Sequence, residues 1–534
     1  MVPFILKSTS YIPIMTDVTA GDTTRAGRRE WIGLSVLALP CMLLAMDMTV
    51  LNLAVPSLSE DLRPSSVQLL WIVDIYGFLI AGCLITMGTL GDRIGRRRLL
   101  LIGAAAFGAA SAAAAFSKSA GMLIATRALL GVAGATLMPS TLALIRNMFH
   151  DPRQRTVAIA AWLNSFMVGG ALGPLLGGVM LEHFWWGSVF LLNVPVMALL
   201  LLLGPLLLPE NRDPNAGRLD LMSAVLSLIA MLSIVWGIKQ VAQDGPGLLA
   251  AGSIIVGIAL GVAFVVRQRD LADPLIDLRL FKVPAFSASV CTQLVALMAM
   301  SGVFLFIAQY MQLVLGLSPL QAGLWMLPWT VGGMSASMLT PWIARRIRPS
   351  YVIGSGLVLS GLGMLVLTGV GGGAGLRVLV TAFVLISTGL NLTMTMTTDL
   401  IMGVAPADRA GAASAISETS CELGLALGTA ILGSVGIAWY RRTMAGDVLA
   451  GIPSNAGAAA RSTLGGAVDV AENLGSELGP SLVATARHAF GESLALMAVI
   501  SAAMMVSTAI AAVVALRGVP RNTSAVKEDL SAAA

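Results

Sequence analysis

Apolar residues run along this chain in long stretches, with polar and charged residues gathered in short segments between them. A helix needs about 20 apolar residues to cross a bilayer. Fourteen stretches of that kind occur, at residues 32–55, 68–90, 99–117, 120–145, 156–181, 187–208, 219–239, 247–266, 284–313, 319–343, 351–370, 376–403, 410–438 and 490–516. Because apolar and polar positions do not alternate within them, an outer-membrane barrel is excluded. The pattern predicts an all-α integral membrane protein with fourteen transmembrane helices.

Composition and charge agree with this prediction. Apolar residues make up 57% of the 534 residues and charged residues 11%, which is too apolar for a water-soluble globular protein. With both termini cytoplasmic, 24 of the 33 Lys and Arg residues fall in inner segments, eight fall in outer segments and Arg127 lies within a span. Basic loops stay on the cytoplasmic side, so the bias supports an even number of spans. The net charge of +5 is spread over many short loops, so we expect no nucleic-acid partner.

Catalytic and metal-binding signatures are absent from the sequence. The four cysteines each fall within a predicted span without a Cys-x-x-Cys pair, and the three histidines are far apart. We therefore expect packing cysteines and no metal site. The chain has no paired catalytic His and Asp, no nucleophile elbow and no Walker A motif, so it is predicted to be neither an enzyme nor an ATP-driven pump, and to need no cofactor.

Six ionisable residues lie at least four residues inside the ends of the predicted spans, where charge is costly and usually functional. They are Asp47, Asp74, Arg127, Asp399, Glu418 and Glu422. Asp47 and Arg127 are about eight and seven residues from the outer ends of their spans, which places them at nearly the same depth and predicts a buried ion pair. Asp74 is either a second buried acid or a residue that snorkels to the outer surface.

The two glutamates, Glu418 and Glu422, are four residues apart and therefore share one helix face. Two ionised carboxylates so close together repel each other in the membrane, which favours proton binding by one of them. This spacing predicts a proton carrier. The alternative is that both glutamates face polar partners in a packed helix interface.

The segment GTLGDRIGRRRLL, residues 88–100, connects the second and third spans and holds four arginines within six residues. It is either a gating contact between helices or a charged turn that only sets the orientation of the chain. The candidate gating residues are Gly88, Asp92, Arg93, Gly95 and Arg96.

The fifth span contains three glycines at four-residue spacing, with a proline beside the central one: Gly169, Gly173, Pro174 and Gly177. Glycines at this spacing form a smooth face that a neighbouring helix can approach closely, and the proline bends the helix axis. The alternative is generic tight packing.

Seven further residues are candidates for the wall of a substrate cavity, six of them aromatic residues whose rings attract cations and one a glutamine. For each of them the alternative is packing in the core or against lipid. They are Trp71, Tyr76, Phe304, Tyr310, Gln312, Trp325 and Trp329.

The spans divide into two bundles of six around an apolar pair. We expect a cytoplasmic tail at 1–30, bundles at 31–208 and 284–516, linker helices at 209–283, an extracellular loop at 439–489 and a cytoplasmic tail at 517–534. The linker helices have no ionisable residue between Asp220 and Lys239, so we expect them to be scaffold. The loop has room for a hairpin or two short helices. A more ordinary polar tail begins at Met15, so a start there is a hypothesis.

Four motifs carry a resemblance to one family. They are GxLxDRxGRRxxL at 88–100, DxTxxNxAxP at 47–56, RxxxGxxxA at 127–135 and GxxxGPxxGG at 169–178. With the fourteen spans, the chain resembles the fourteen-helix drug:proton antiporters of the major facilitator superfamily over residues 30 to 516. The resemblance implies alternating access around a central site, in which the five membrane acids exchange protons for substrate and Arg127 tunes them.

The resemblance also implies the substrates. Relatives that handle divalent cations can carry an acid midway along helix 10, whereas here Gly332 and Gly333 occupy that stretch and no acid lies between 284 and 343. We therefore expect a proton-driven exporter of lipophilic, mainly monovalent cations: quaternary ammonium compounds, ethidium, acriflavine-like dyes and fluoroquinolones. It is expected to act as a monomer among the lipids of a bacterial inner membrane. The alternative is an exporter of an endogenous lipid, siderophore or cell-wall precursor.

Overall fold

The computed structural model describes residues 26–210, 212, 220–271, 274–276, 278–344, 346–371, 375–404, 410–445 and 454–519. These residues form eighteen α-helices and short 3₁₀ or π turns, with no strand among them. The start hypothesis at Met15 and most of both predicted tails lie outside the described residues.

The first group of helices packs around α1. Its members are α1 (Arg28–Leu62), α2 (Ser66–Ile94), α3 (Arg96–Ala115), α4 (Ala120–Met148), α5 (Pro152–His183), α6 (Ser188–Leu191) and α7 (Asn193–Leu207). The α1 helix contacts α4, α5 and α7, while α4 also contacts α2 and α3. A capping box of Ser65 and Gln68 begins α2, because each side chain bonds the backbone N–H of the other residue.

The linker consists of α8 (Leu221–Asp244) and α9 (Leu248–Asp270), which pack against each other. Asp220 caps α8 and lies 2.9 Å from the guanidinium of Arg267 on α9. Partial burial acts to raise the pKa of the Asp220 carboxyl, but hydrogen bonds from Arg267 and Ser223 outweigh it and hold the pKa below its ordinary value. The α8 helix also contacts α2 and a helix of the second group, which makes the linker a bridge between the two groups.

The second group begins with α10 (Pro284–Gln309), which continues as a π-helical turn over Tyr310–Val314. Its other members are α11 (Pro319–Trp325), α12 (Leu327–Ala344), α13 (Pro349–Leu367), α14 (Gly375–Val404), α15 (Ala410–Thr443), α16 (Ser454–Ser462), α17 (Leu464–Asn473) and α18 (Gly475–Leu516). The α10 helix packs against α14, α15 and α18, and α13 packs against α14 and α18.

Thirteen segments of the described chain are long and apolar enough to cross a membrane. The remaining predicted span, residues 319–343, is divided into α11 and α12 at Met326. Pro328 has no backbone N–H, so the helical hydrogen-bond ladder is interrupted there. The predicted span is therefore present as two helices in sequence, and the protein is an all-helical, multi-pass membrane protein.

The two groups of helices are packed together at one end. We call this the hairpin end because α16 and α17 pack against each other there as a pair of short helices. We call the opposite end, which has the turn at Gly95, the arginine end. At the hairpin end the Gln312 amide donates to the Leu53 carbonyl (3.0 Å) and Ser66 donates to the Ser462 carbonyl (2.5 Å). Of the two forms open for the 439–489 loop, the structure has two short helices.

Candidate functional site

A buried ion pair joins α1 to α4. Arg127 Nη1 lies 2.5 Å from Asp47 Oδ2, and the two side chains are 1% and 4% exposed. The same guanidinium donates from Nε to the Ile72 carbonyl (3.1 Å) and lies 4.5 Å from the centre of the Tyr76 ring on α2. The ion pair predicted from the equal depths of Asp47 and Arg127 is therefore present, and it also holds α2.

A second buried ion pair joins α2 to the linker. Lys239 Nζ on α8 donates to Asp74 Oδ1 at 2.8 Å and lies 2.8 Å from Oδ2, and both side chains are fully buried. The ammonium group also lies 3.7 Å from the centre of the Trp71 ring. Asp74 is therefore a buried acid, and the alternative that it snorkels to the surface is wrong.

Lys239 corrects two expectations from the sequence. Lys239 ends the span predicted at 219–239 and was therefore one of the eight basic residues assigned to the outer side, and the linker helices were expected to be scaffold. The available signal was a lysine at the end of an apolar span, and Asp74 lies six residues inside the corresponding end of its own span. A lysine in that position ordinarily reaches the membrane surface, so its burial could not be predicted from the sequence.

Glu422, one of the glutamate pair of α15, lies close to the same segment of α2. Glu422 is buried, and a Cβ atom at Gly77 would lie 4.0 Å from its Oε2 atom. That oxygen has no hydrogen-bond partner among the described residues. Glu418, one turn closer to the arginine end, is partly exposed and close enough to Arg146 of α4 to interact electrostatically. Segment 71–77 of α2 thus adjoins Asp47 through Arg127, contains Asp74 and faces Glu422.

A polar cluster in the second group was missed by the sequence argument. Gln293 on α10 donates to Thr398 Oγ1 (2.9 Å) and accepts from Ser417 Oγ (2.9 Å), next to Glu418. Asp399, adjacent to Thr398, is exposed at the arginine end of α14 and is not part of the cluster around α2. Nothing in the local sequence distinguished Gln293 from other polar residues in a span.

The predicted cavity residues have several different surroundings. Trp71 and Tyr76 lie beside cations of the protein itself, as described above. Phe304 and Trp329 pack edge to face at 5.5 Å, and Trp325 is 40% exposed on α11. The Tyr310 hydroxyl donates to the Val370 carbonyl (3.1 Å), and Gln312 closes the hairpin end. The assignment of these seven residues to a substrate cavity stays a prediction.

The predicted gating segment forms a tight corner between α2 and α3. Gly95, at φ 109°, is the single residue between the two helices. Arg96 lies 2.6 Å from Asp92, one turn earlier, and the exposed Arg93 accepts a hydrogen bond at its carbonyl from Arg212. Gly88 faces Pro139 of α4. These contacts fit both a gate and an orienting turn, so the gating role stays a prediction.

The glycine face of α5 packs directly onto the part of α1 that carries Asp47. Gly169 lies against the Met42 backbone, Gly173 against Met46 and Thr49, and Gly177 against Val50. At the hairpin end the Pro174 carbonyl contacts Gly323 of α11, so the same face reaches the second group of helices. A close-packing face was predicted from the glycine spacing, and the structure has it.

Comparisons with known proteins agree with this architecture. The model of the Major Facilitator Superfamily matches residues 37–429. The chain is 47% identical to the multidrug efflux pump LfrA of Mycolicibacterium smegmatis, over 93% of this chain and 98% of that protein. It is 36% identical to the methyl viologen resistance protein SmvA of Salmonella typhimurium, over 86% and 93% of the two chains. A bacterial homologue of the human lysosomal transporter Spinster, solved in an inward-facing and unoccupied conformation, has a TM-score of 0.65 at 16% identity, over 92% and 98%.

The chain belongs to the major facilitator superfamily of membrane transporters. Its similarity to LfrA and SmvA extends over nearly the whole of those proteins, which confirms the resemblance to drug exporters that four sequence motifs indicated. It is therefore a transporter and not an enzyme.

Proposed function

We propose that this protein is a multidrug exporter that exchanges lipophilic, mainly monovalent cations for protons by alternating access. The name of LfrA, a multidrug efflux pump, supports drug export, and that of SmvA, a methyl viologen resistance protein, supports a cationic drug. The carboxyl groups within its helices are the proposed sites at which a cation is exchanged for a proton.

The observation that carries the proposal is the state of Glu422. Asp47 and Asp74 each have a cation of the protein within 2.8 Å or less, whereas Glu422 Oε2 is buried without a hydrogen-bond partner among the described residues. An ionised carboxylate is costly in an apolar site unless a cation accompanies it. Glu422 therefore suits two alternative occupants, a proton and a cationic drug.

Access to Glu422 supports a direction of transport. The contacts at the hairpin end close that side, while Glu418 is partly exposed one turn closer to the arginine end. The proposed orientation places the arginine end in the cytoplasm of a bacterium, as the bias of 24 inner against seven outer basic residues favours once the buried Lys239 is removed from the outer eight. A cation then reaches Glu418 and Glu422 from the cytoplasm, the protein opens outward, and external protons replace the cation.

The packing of α12 supports a preference for one positive charge. A Cβ atom at Gly332 would lie 2.7 Å from Ser387 Oγ, and one at Gly333 would lie 2.6 Å from Asn391 Nδ2. The helix therefore has no room at these positions for a further carboxylate beside the α14 side chains. A drug with two separated positive charges lacks a second acid here, so methyl viologen should be carried less well than ethidium.

The test is drug uptake into everted membrane vesicles with and without an imposed pH gradient. Each proton that moves down one pH unit supplies about 1.4 kcal/mol, so ethidium uptake should require the gradient and exceed uptake of methyl viologen. Glu422→Gln should reduce the gradient-driven uptake to the background level. The matched control is Glu492→Gln, which changes a 44% exposed glutamate of α18 and should transport normally.

Three results would overturn the proposal. They are undiminished uptake by Glu422→Gln vesicles that contain a normal amount of protein, uptake that is independent of the pH gradient, and extrusion of an anionic lipid without any dye transport. The last result would favour the endogenous lipid exporter.

A further inference from the structure

Lys239 of α8 contacts two side chains of α2. Its ammonium group lies 2.8 Å from both oxygens of Asp74 and 3.7 Å from the centre of the Trp71 ring, and the side chain is fully buried. The other charged groups around this part of α2 are Arg127 from α4 and Glu422 from α15. Lys239 therefore has two partners on α2, a carboxylate and an aromatic face one turn apart.

Attachment alone is a poor reason for this ion pair. A fully buried pair generally stabilises a protein no more than apolar residues of similar volume, because both ions lose their hydration. The α8 helix already has an apolar contact with its neighbours: Val235, one turn from Lys239, is buried with Phe78 of α2 and with Ala426 and Ala430 of α15.

The same contact places α8 between the two groups of helices. Phe78 belongs to the first group, Ala426 and Ala430 belong to the second, and Val235 is buried against both. Alternating access requires the two groups to move relative to each other. A movement of α15 against α2 must therefore displace α8 with respect to at least one of them, and Lys239 moves with it.

We propose that Lys239 is the resident counter-cation of Asp74, and that Asp74 exchanges it for a proton or the transported cation when the two groups move. This inference rests on the proposed function. In the exchange with a proton, an O–H bond of a hydronium ion breaks, leaving water, and an O–H bond forms on Asp74, while Lys239 keeps its own three protons. The Trp71 ring retains the ammonium by a cation–π contact while Asp74 is occupied. The linker helices are then part of the transport site.

The first test measures the protonation of Asp74 directly. Dicyclohexylcarbodiimide modifies carboxyl groups in membranes when they carry a proton, and mass spectrometry of the purified protein locates the modified residue. In wild type Asp74 should react slowly because Lys239 keeps it ionised. In Lys239→Met the uncompensated acid should take up a proton and react about tenfold faster, whereas Lys239→Arg should remain close to wild type.

The second test separates exchange from attachment. The variant Asp74→Asn/Lys239→Met replaces the charged pair by neutral residues of similar size, so it should keep the thermal stability of wild type. A merely structural pair would then be dispensable, and transport would be normal. Exchange requires both ionisable groups, so we expect about a tenfold loss of gradient-driven ethidium uptake.

The matched control is Asp220→Asn/Arg267→Gln, which neutralises the ion pair between α8 and α9 at the other end of the linker. It should transport normally, because it does not touch Asp74.

Equal labelling of Asp74 in wild type and Lys239→Met, or normal transport by a stably folded Asp74→Asn/Lys239→Met, would overturn the inference. If that double variant does not fold, the inference is tested by the labelling of Asp74 in wild type and Lys239→Met alone. Failure of the proposed function is a different result, because it shows in wild-type vesicles as the absence of cation–proton exchange. The labelling needs neither drug nor gradient.

Discussion

The guanidinium of Arg127 lies 2.5 Å from the carboxylate of Asp47, and neither side chain is more than 4% exposed. The same guanidinium donates to the Ile72 and Val73 carbonyls of α2. One arginine therefore connects α4, α1 and α2 at the level of the candidate site.

Arg127→Met should strongly destabilise the protein. Loss of one partner of a buried pair leaves the other charge uncompensated, which costs about 3–5 kcal/mol. Thermal unfolding in detergent should show a clearly lower midpoint, and Asp47→Asn/Arg127→Met should recover much of the loss because no charge is stranded. An Arg127→Met variant as stable as wild type would contradict the stabilising role of the Asp47–Arg127 contact.

Gly169→Ala should disrupt the contact between α5 and α1. The new methyl group would meet the Met42 backbone, which cannot rotate away, and overpacking of this kind costs about 1–3 kcal/mol. The adjacent Gly170 is the control, because a Cβ atom there has nothing within 4 Å. Gly170→Ala should leave the unfolding midpoint unchanged or slightly higher, and equal effects of the two variants would contradict the packing.

Gly95→Ala should strain the corner between α2 and α3. Gly95 has φ 109°, a conformation that residues with a Cβ atom rarely adopt, and the Glu210 carboxylate fills the adjacent space. Backbone strain of this kind costs about 1–3 kcal/mol, measurable as a lower unfolding midpoint. Gly95→Ala/Glu210→Ala removes the collision and should remain destabilised. Full recovery in that variant would assign the effect to the collision alone.

A disulfide between α2 and α16 should stop transport. The Ser66 hydroxyl lies 2.5 Å from the Ser462 carbonyl, so the two residues are in contact at the hairpin end and Ser66→Cys/Ser462→Cys is the pair to cross-link. In a background without the four native cysteines, oxidation should abolish ethidium uptake into everted vesicles and a reductant should restore it. Alternating access would be contradicted by full transport through the cross-linked protein.

The sequence was sufficient to predict the membrane class, the helices, the Asp47–Arg127 pair and the close-packing face of α5. Each of these follows from local information: the length of an apolar run, the depth of a charge in its span, or the spacing of glycines. The span predicted at 319–343 is divided into two helices because Pro328 interrupts its hydrogen bonds. The proline is a local signal, but the prediction of this span used only the apolar pattern.

The burial of Lys239 beside Asp74 could not be predicted from local sequence information. Its distance from the end of α8 was visible in the sequence, but the partner of a buried side chain depends on how each helix is rotated about its axis and which helix lies beside it. Those choices are made by packing between residues far apart in the chain, such as Val235 against Phe78 and Ala426. The sequence by itself determined that this protein crosses the membrane and carries acids within it. Only the tertiary structure decided that Asp74 has Lys239 beside it while Glu422 Oε2 has no hydrogen-bond partner among the described residues, because the low dielectric of the interior makes such pairing depend on contacts of a few ångströms.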